Sequence, residues 1–471
     1  MKRFIYSIFA LLMGMVALSC NNDEQRMEIL KVYNWGDYID EDLLVEFEEW
    51  YFEQTGEEVE IIYQTFDINE VMLAKIENGE ADFDVVCPSE YIIERMLRSK
   101  MLHPILTPEF VEEINARDIN YFDCVSPYIK EQFALLEAPD GVDPNDYSVG
   151  YMWGTTGILY NKAYITEEEA SSWALMFDQR LEDKIFVKDA FRDVYSPILI
   201  YAKTLEGRAN GTLGEDEMLD IETIRDLMYD SSDESIALVE GYLKRMKELV
   251  AGWEADFGKE MMTQEKAWIN LMWSGDAVWA IDEASSVDVG LGYAVPVEGS
   301  VVWFDGWVIP KYARNLRAAR YFIDYMCMPE NAIRNMDATG YVSVVATQEV
   351  FDSLEDLCYS EQQVCDLSYL FVDSEGNPIE GSESVLADPV LYPDKSVIDR
   401  CAVMHDSGDR TDKMLEMWSR VKGDNLSVGM LVGIVLFFGL LLVWGVWRKV
   451  DSYRRQQKLK KRRHHSKARA K

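Results

Sequence analysis

The sequence predicts an α/β protein of more than one domain, and two observations predict it. From residue 29 onward β-rich runs alternate with amphipathic helical runs: a strand at 30–33, a helix at 41–54, a strand at 59–65, a helix at 69–78, a strand at 83–87 and a helix from Glu90. Alternation of this kind builds a layered unit on a largely parallel sheet. The pattern then restarts near Tyr151, with strands at 157–160 and 185–187 and helical runs around 221–228 and 235–250. A chain of 471 residues with 48% hydrophobic content is long enough for two or three packed domains.

The later elements are expected as strands at 277–281 and 301–310, a helix at 316–326 and a helix near 412–421, with no internal repeat. The loop-rich stretch 352–394 is expected on the surface. In parallel α/β sheets ligands bind beyond the carboxyl ends of strands. That rule singles out Asn34-Trp35-Gly36-Asp37-Tyr38 after the first strand and Pro88-Ser89-Glu90-Tyr91 after the third.

The formal net charge of −38 is unevenly spread. Residues 448–471 hold twelve Lys/Arg against Asp451 alone, so the remainder of the chain stands at −49. A surface of that sign repels nucleic acid and concentrates cations. The two ends account for the asymmetry. Lys2 and Arg3, the apolar run 4–18 and Ser19-Cys20-Asn21 predict a lipoprotein-type signal over residues 1–19 with Cys20 as the lipidated residue; the alternative is an uncleaved N-terminal anchor. Residues 425–447 lack charge and are long enough for one transmembrane helix, with Trp444 and Trp447 at an interface. The basic block 448–471 follows at once, which places it in the cytoplasm and the rest of the chain outside.

If Cys20 takes lipid, six cysteines remain, and the short Cys358 to Cys365 spacing makes that pair the first expectation for a disulfide. With no C-x-x-C and only His103 and His405 in the exported part, neither a metal site nor a cofactor is expected. Nucleophile-elbow, zinc-protease, P-loop and dinucleotide signatures are absent, so the chain is read as a non-enzyme, with a glycan hydrolase as the rival.

Aromatic residues and acids recur together at short spacing: Trp35 with Asp37, Glu90 with Tyr91, Trp273 with Asp276, and Trp303 with Asp305. Carboxylates make charge-assisted bonds to ammonium groups, and aromatic faces add cation-π and apolar contact, so the couplets suit an aliphatic polycation. Structural readings compete at every position. Trp35 fits a core residue with Asp37 as a turn acid, Ser89 fits a helix N-cap with Glu90 as a first-turn acid, Asp276 fits a turn after Gly275, and Trp303 and Asp305 fit an edge strand.

At these segments the chain resembles the spermidine/putrescine receptors of bacterial ABC importers. The shared phrases run in order from Val32-Tyr33-Asn34-Trp35 through Asp84-Val85-Val86, Pro88-Ser89, Tyr151-Met152-Trp153-Gly154-Thr155, Trp273-Ser274-Gly275-Asp276-Ala277, Trp303-Phe304-Asp305 and Ile309-Pro310-Lys311 to Thr339-Gly340-Tyr341. The resemblance implies a two-lobed, type II periplasmic-binding fold with crossing hinge strands. One lobe would hold 28–150 and 304–345, the other 151–303 and 346–421. It further implies that Trp35, Tyr38, Ser89, Tyr91, Trp273, Trp303 and Tyr341 box the ligand or bond its amines, and that Asp37, Asp193, Asp276 and Asp305 hold its ammonium groups. Ala190 and Met404 stand where a well-known spermidine receptor has Asp and Gln, and Asp276 matches the putrescine-type pattern. An importer permease in the inner membrane is the implied partner; a sensor for a membrane signalling partner is the alternative.

Overall fold

The computed structural model describes residues 26–79, 81–254, 257–373 and 375–423. The chain forms two compact units, Met1–Met414 and Leu415–Lys471. The first contains every strand named below. Of the second, only the end of the helix Thr411–Gly423 is described. Among the described residues no helix is long and apolar enough to cross a membrane; Cys20, 425–447 and the basic block lie outside the described residues.

The first strands and helices follow the expected alternation. Strand β1 (Ile29–Trp35) leads into α1 (Asp42–Thr55), which buries Leu43, Phe47 and Tyr51 at four-residue spacing and stops at Gly56 in left-handed backbone. β2 (Glu60–Phe66), α2 (Asn69–Glu77), β3 (Val85–Val86) and α3 (Glu90–Arg98) complete a parallel β2-β1-β3 layer. Two long strands then cross the molecule. Every residue of β4 (Ser148–Asn161) and β5 (Ser300–Pro310) is buried, and the two run antiparallel with a bulge between Asp305 and Gly306. The far half is carried by β6 (Ile185–Lys188), β7 (Val250–Glu254) and β8 (Ile269–Trp273), with β6 parallel to both others. A single mixed sheet therefore continues from one half to the other through β4 and β5. Strands buried on both faces read as near-continuous apolar runs, which is how the crossing strands read.

Four expectations change. The run 277–281 is not a strand: it lies inside a helix, Ser274–Ser285, which starts directly at the end of β8. A twenty-residue helix, Phe191–Asn210, follows β6 where no element was expected, and it contains Pro197 in its first half. The segment after Ala346 does not all go with the far half. The Ser126 hydroxyl donates to the Leu370 carbonyl at 2.7 Å and Tyr128 meets Tyr369 edge-on at 5.2 Å, so this part packs on the helix Pro127–Ala134 of the near half. The segment reaches the far half again where Cys401 and Ala402 pair with Ser300 and Val301.

Finally, Cys358 and Cys365 form no disulfide, and all six described cysteines are free. Asp388 accepts from the Tyr359 and Ser360 backbone N–H groups, which fixes the turn after Cys358, while Cys365 is held in a two-stranded ladder with Val385. The two thiols are satisfied separately, by the carbonyls of Ser360 and Gln363.

Candidate functional site

Strand ends of both halves converge on β5. Three residues beyond β1 comes Tyr38, and α3 after β3 opens with Glu90. Asp193 occupies the first turn of α4 (Phe191–Asn210) after β6, and Asp276 the first turn of α5 (Ser274–Ser285) after β8. Carboxylates are favoured at helix N-termini, where backbone N–H groups and the helix dipole face them. This explains why acids occupy these turns but leaves open why they are buried together.

Asp305 is the meeting point. One oxygen accepts from the Tyr38 hydroxyl at 2.9 Å and the other from the Ser89 hydroxyl at 2.6 Å, and its backbone bridges that of Ser89. Burial pushes its carboxyl up to about 7; the two hydroxyl bonds oppose the rise and the charge of Asp193 adds to it. Glu90, 1% exposed, accepts from the Phe304 N–H at 3.0 Å through one oxygen, while its Oε1 is buried without a partner. Burial drives this carboxyl well above the usual range too. Asp193 accepts from the Trp273 indole N–H at 2.8 Å and is pushed by burial up to about 6. Among the described residues, no Lys, Arg or His lies within ion-pair distance of Asp305, Glu90 or Asp193. Buried carboxylates without counter-ions are costly, and a bound cation removes that cost.

Asp276 differs. Lys188, 1% exposed at the end of β6, donates to its Oδ2 at 2.6 Å, and the Tyr341 hydroxyl donates to its Oδ1 at 2.9 Å. Burial works to raise this carboxyl, yet the charges of Lys188 and Lys259, with the two hydrogen bonds, hold it below the ordinary aspartate value. The Lys188 ammonium also sits 4.5 Å over the Trp273 ring and 3.5 Å from Glu254.

Aromatic rings enclose the acids. Tyr341 meets Tyr38 edge-on at 5.0 Å and Trp303 at 5.6 Å. Two glycines permit this packing: a Cβ on Gly275 would lie 2.3 Å from the Tyr341 ring, and one on Gly154 would lie 2.6 Å from the Trp303 ring. Asn69 donates to both the Tyr91 and Ser89 hydroxyls at 3.0 Å, and the Arg192 guanidinium covers the Tyr91 ring at 4.4 Å.

Of the sequence-predicted residues, Tyr38, Ser89, Glu90, Tyr91, Asp193, Trp273, Asp276, Trp303, Asp305 and Tyr341 are joined by these contacts. Trp35 and Asp37 are not. Trp35 packs on Phe66 at 4.5 Å, and its buried indole N–H lacks an acceptor. Asp37 is exposed in left-handed backbone, φ 51°, as the turn-acid reading has it. Sequence reasoning missed Lys188, Arg192 and Asn69. Lys188 follows directly on the predicted strand 185–187, where the strand-end rule applies, but nothing in the sequence pairs it with Asp276. Among the described residues no cluster of three or more His, Cys, Asp or Glu could hold a metal ion.

The chain is 24% identical over 427 residues to the spermidine/putrescine-binding periplasmic protein of Salmonella typhimurium, covering 89% of this chain and 98% of that one. Among solved structures, a spermidine/putrescine ABC transporter protein of Listeria monocytogenes aligns with a TM-score of 0.62 at 27% identity, over 84% of this chain and 99% of that one. The spermidine/putrescine ABC transporter substrate-binding protein of Streptococcus pneumoniae aligns at 0.56 and 26% identity, over 84% and 98%. The family described as bacterial extracellular solute-binding protein matches residues 43–353. With an α/β sheet crossed by two buried strands and a buried, acid-lined site where they meet, the chain belongs to the bacterial extracellular solute-binding protein family.

Proposed function

We propose that this chain is an extracytoplasmic receptor for a short aliphatic polyamine of the putrescine or spermidine type, which it captures by closing two lobes and delivers to an ABC importer. One observation carries the reading: Asp305, Glu90 and Asp193 are buried, lack a protein counter-cation among the described residues, and are walled by Tyr38, Tyr91, Trp273, Trp303 and Tyr341. Ammonium groups answer the acids, and methylenes answer the rings. The names of the relatives support the same ligand class.

In this reading the ligand first meets one half of the sheet, and acids and rings of the other half complete the cage, which favours the closed form. Residues 1–19 serve as a signal, Cys20 carries lipid, 425–447 spans the inner membrane and 448–471 lies in the cytoplasm. Tethering keeps the receptor near its permease and raises the effective concentration for docking.

Titration calorimetry and thermal melting of the full chain with putrescine, cadaverine, spermidine, spermine and a set of amino acids test the proposal. A ligand at a hundredfold its Kd stabilises the native state by about 2.7 kcal/mol, so a clear upward melting shift is expected with at least one amine. No heat and no shift with any amine overturns it.

A further inference from the structure

A three-site cage for a triamine would need a third acid free to receive an ammonium; Glu70 faces Arg192 at 3.9 Å, which leaves Asp276 as the candidate beside Trp273. The chain fills that place itself. Lys188 leaves the end of β6 with its side chain 1% exposed, donates to Asp276 at 2.6 Å, lies over the Trp273 ring at 4.5 Å and stands 3.5 Å from Glu254. A carboxylate on one side and an indole face on the other make the surroundings in which an amine ligand would be held. Glu254 helps to lock the lysine in place, since it also accepts from the Gly258 N–H at 3.0 Å and the Asn270 amide at 3.3 Å.

The acids still uncompensated fall into two positions. Asp305 and Glu90 act on one place, because Glu90 bonds the backbone N–H of Phe304, the residue before Asp305. Asp193 is the other, on the Trp273 indole. We propose, resting on the polyamine reading above, that Lys188 is a specificity-determining residue: its ammonium occupies the third amine subsite, so the cleft takes a diamine and rejects a triamine. The third ammonium of spermidine would meet Lys188 at Asp276, and like charges in a buried site repel strongly.

Lys188→Met takes from Asp276 and Glu254 the ammonium they share, leaving Asp276 the charge of Lys259 alone, which favours ligands that bring a cation. Titration calorimetry on the full chain with putrescine and spermidine is the test. Wild type should bind putrescine at least tenfold more tightly than spermidine, and K188M should shift that ratio toward spermidine by tenfold or more. Because K188M alone strands buried carboxylates and could fold poorly, the pair Lys188→Met with Asp276→Asn is measured beside it; Asn still accepts from Tyr341. Compared with Asp276→Asn alone, that double variant should shift the ratio toward spermidine, the same direction as K188M. A putrescine-to-spermidine ratio moved by less than threefold in K188M overturns the inference, as does a double variant whose ratio does not shift toward spermidine from that of Asp276→Asn. Wild-type protein that binds neither amine removes the polyamine reading and the inference with it. Wild type binding spermidine as tightly as putrescine removes the inference alone.

Discussion

Asp305 sits on a crossing strand, takes hydroxyl bonds from Tyr38 and Ser89 of the near half, and still lacks a counter-cation among the described residues. Asp305→Asn keeps the shape and an acceptor but removes the charge. Losing one partner of a desolvated charge pair costs about 2–5 kcal/mol, so polyamine affinity should fall at least tenfold, and titration calorimetry showing unchanged affinity would sink the site assignment. Trp303→Ala removes the ring that meets Tyr341 and should also cost tenfold or more by the same measurement. The acids also set a pH dependence. Asp305 and Asp193 are held up at about 7 and about 6, above the aspartate value of the unfolded chain. Between those values the folded protein holds protons that the unfolded chain has released, so native stability falls as pH rises through the window. Ligand-free protein should therefore melt higher at about pH 5.5 than at about pH 7.5. Asp324, pushed up by burial to about 8, slopes in the same direction, so the part due to Asp305 is read as the flattening of the profile in Asp305→Asn. A polyamine should raise the melting point more at the higher pH, where the carboxylates are charged.

The helix Ser274–Ser285 shows what was and was not legible in the sequence. Its run Ala277-Val278-Trp279-Ala280-Ile281 is a short apolar stretch, and such a run cannot be told by periodicity from a buried strand. β1, α1 and β5 were legible because their patterns are longer or are bounded by turn residues. The Trp273-to-Asp276 and Trp303-to-Asp305 couplets were legible for a different reason: aromatic and acid recur together at short spacing within phrases that resemble the receptor family, whereas the strand-end rule pointed to 34–38 and 88–91. Lys188 was not, because its meeting with Asp276 depends on β6 lying beside β8, with Val187 opposite Leu271. Strand neighbourhood is a long-range property that local pattern does not encode. The disulfide expectation failed similarly, since spacing alone fixes neither thiol's direction. The start of this same helix is sensitive to bulk. The Tyr341 ring lies against Gly275, so Gly275→Ala forces the ring away and with it the hydroxyl bond to Asp276. Overpacking of this kind costs about 1–3 kcal/mol, to be read as a lower midpoint in denaturant melting. An unchanged midpoint would mean that Tyr341 moves without loss.

At the scale of the whole molecule, the proposed tethering rests on two segments outside the described residues, and each can be tested separately. Residues 425–447 are uncharged and long enough to span, and the proposed topology has the Lys/Arg-rich block after them in the cytoplasm. The same proposal has Cys20, after the apolar run 4–18, carry lipid at the other end. A spanning helix holds a protein effectively irreversibly, so it suffices alone and hides the contribution of a lipid at Cys20 until that helix is removed. Three versions of the chain separate these contributions by fractionation of cells. A chain ending at Gly423 should remain with membranes through Cys20. A chain whose residues 1–20 are exchanged for an ordinary cleaved secretory leader should remain there through 425–447. The version carrying both changes should appear in the soluble periplasmic fraction and should still bind polyamine, because every acid and ring of the cleft lies between Tyr38 and Tyr341. Full release by the truncation alone would show that Cys20 bears no lipid, and retention of the doubly changed chain would place a membrane contact on the folded receptor itself.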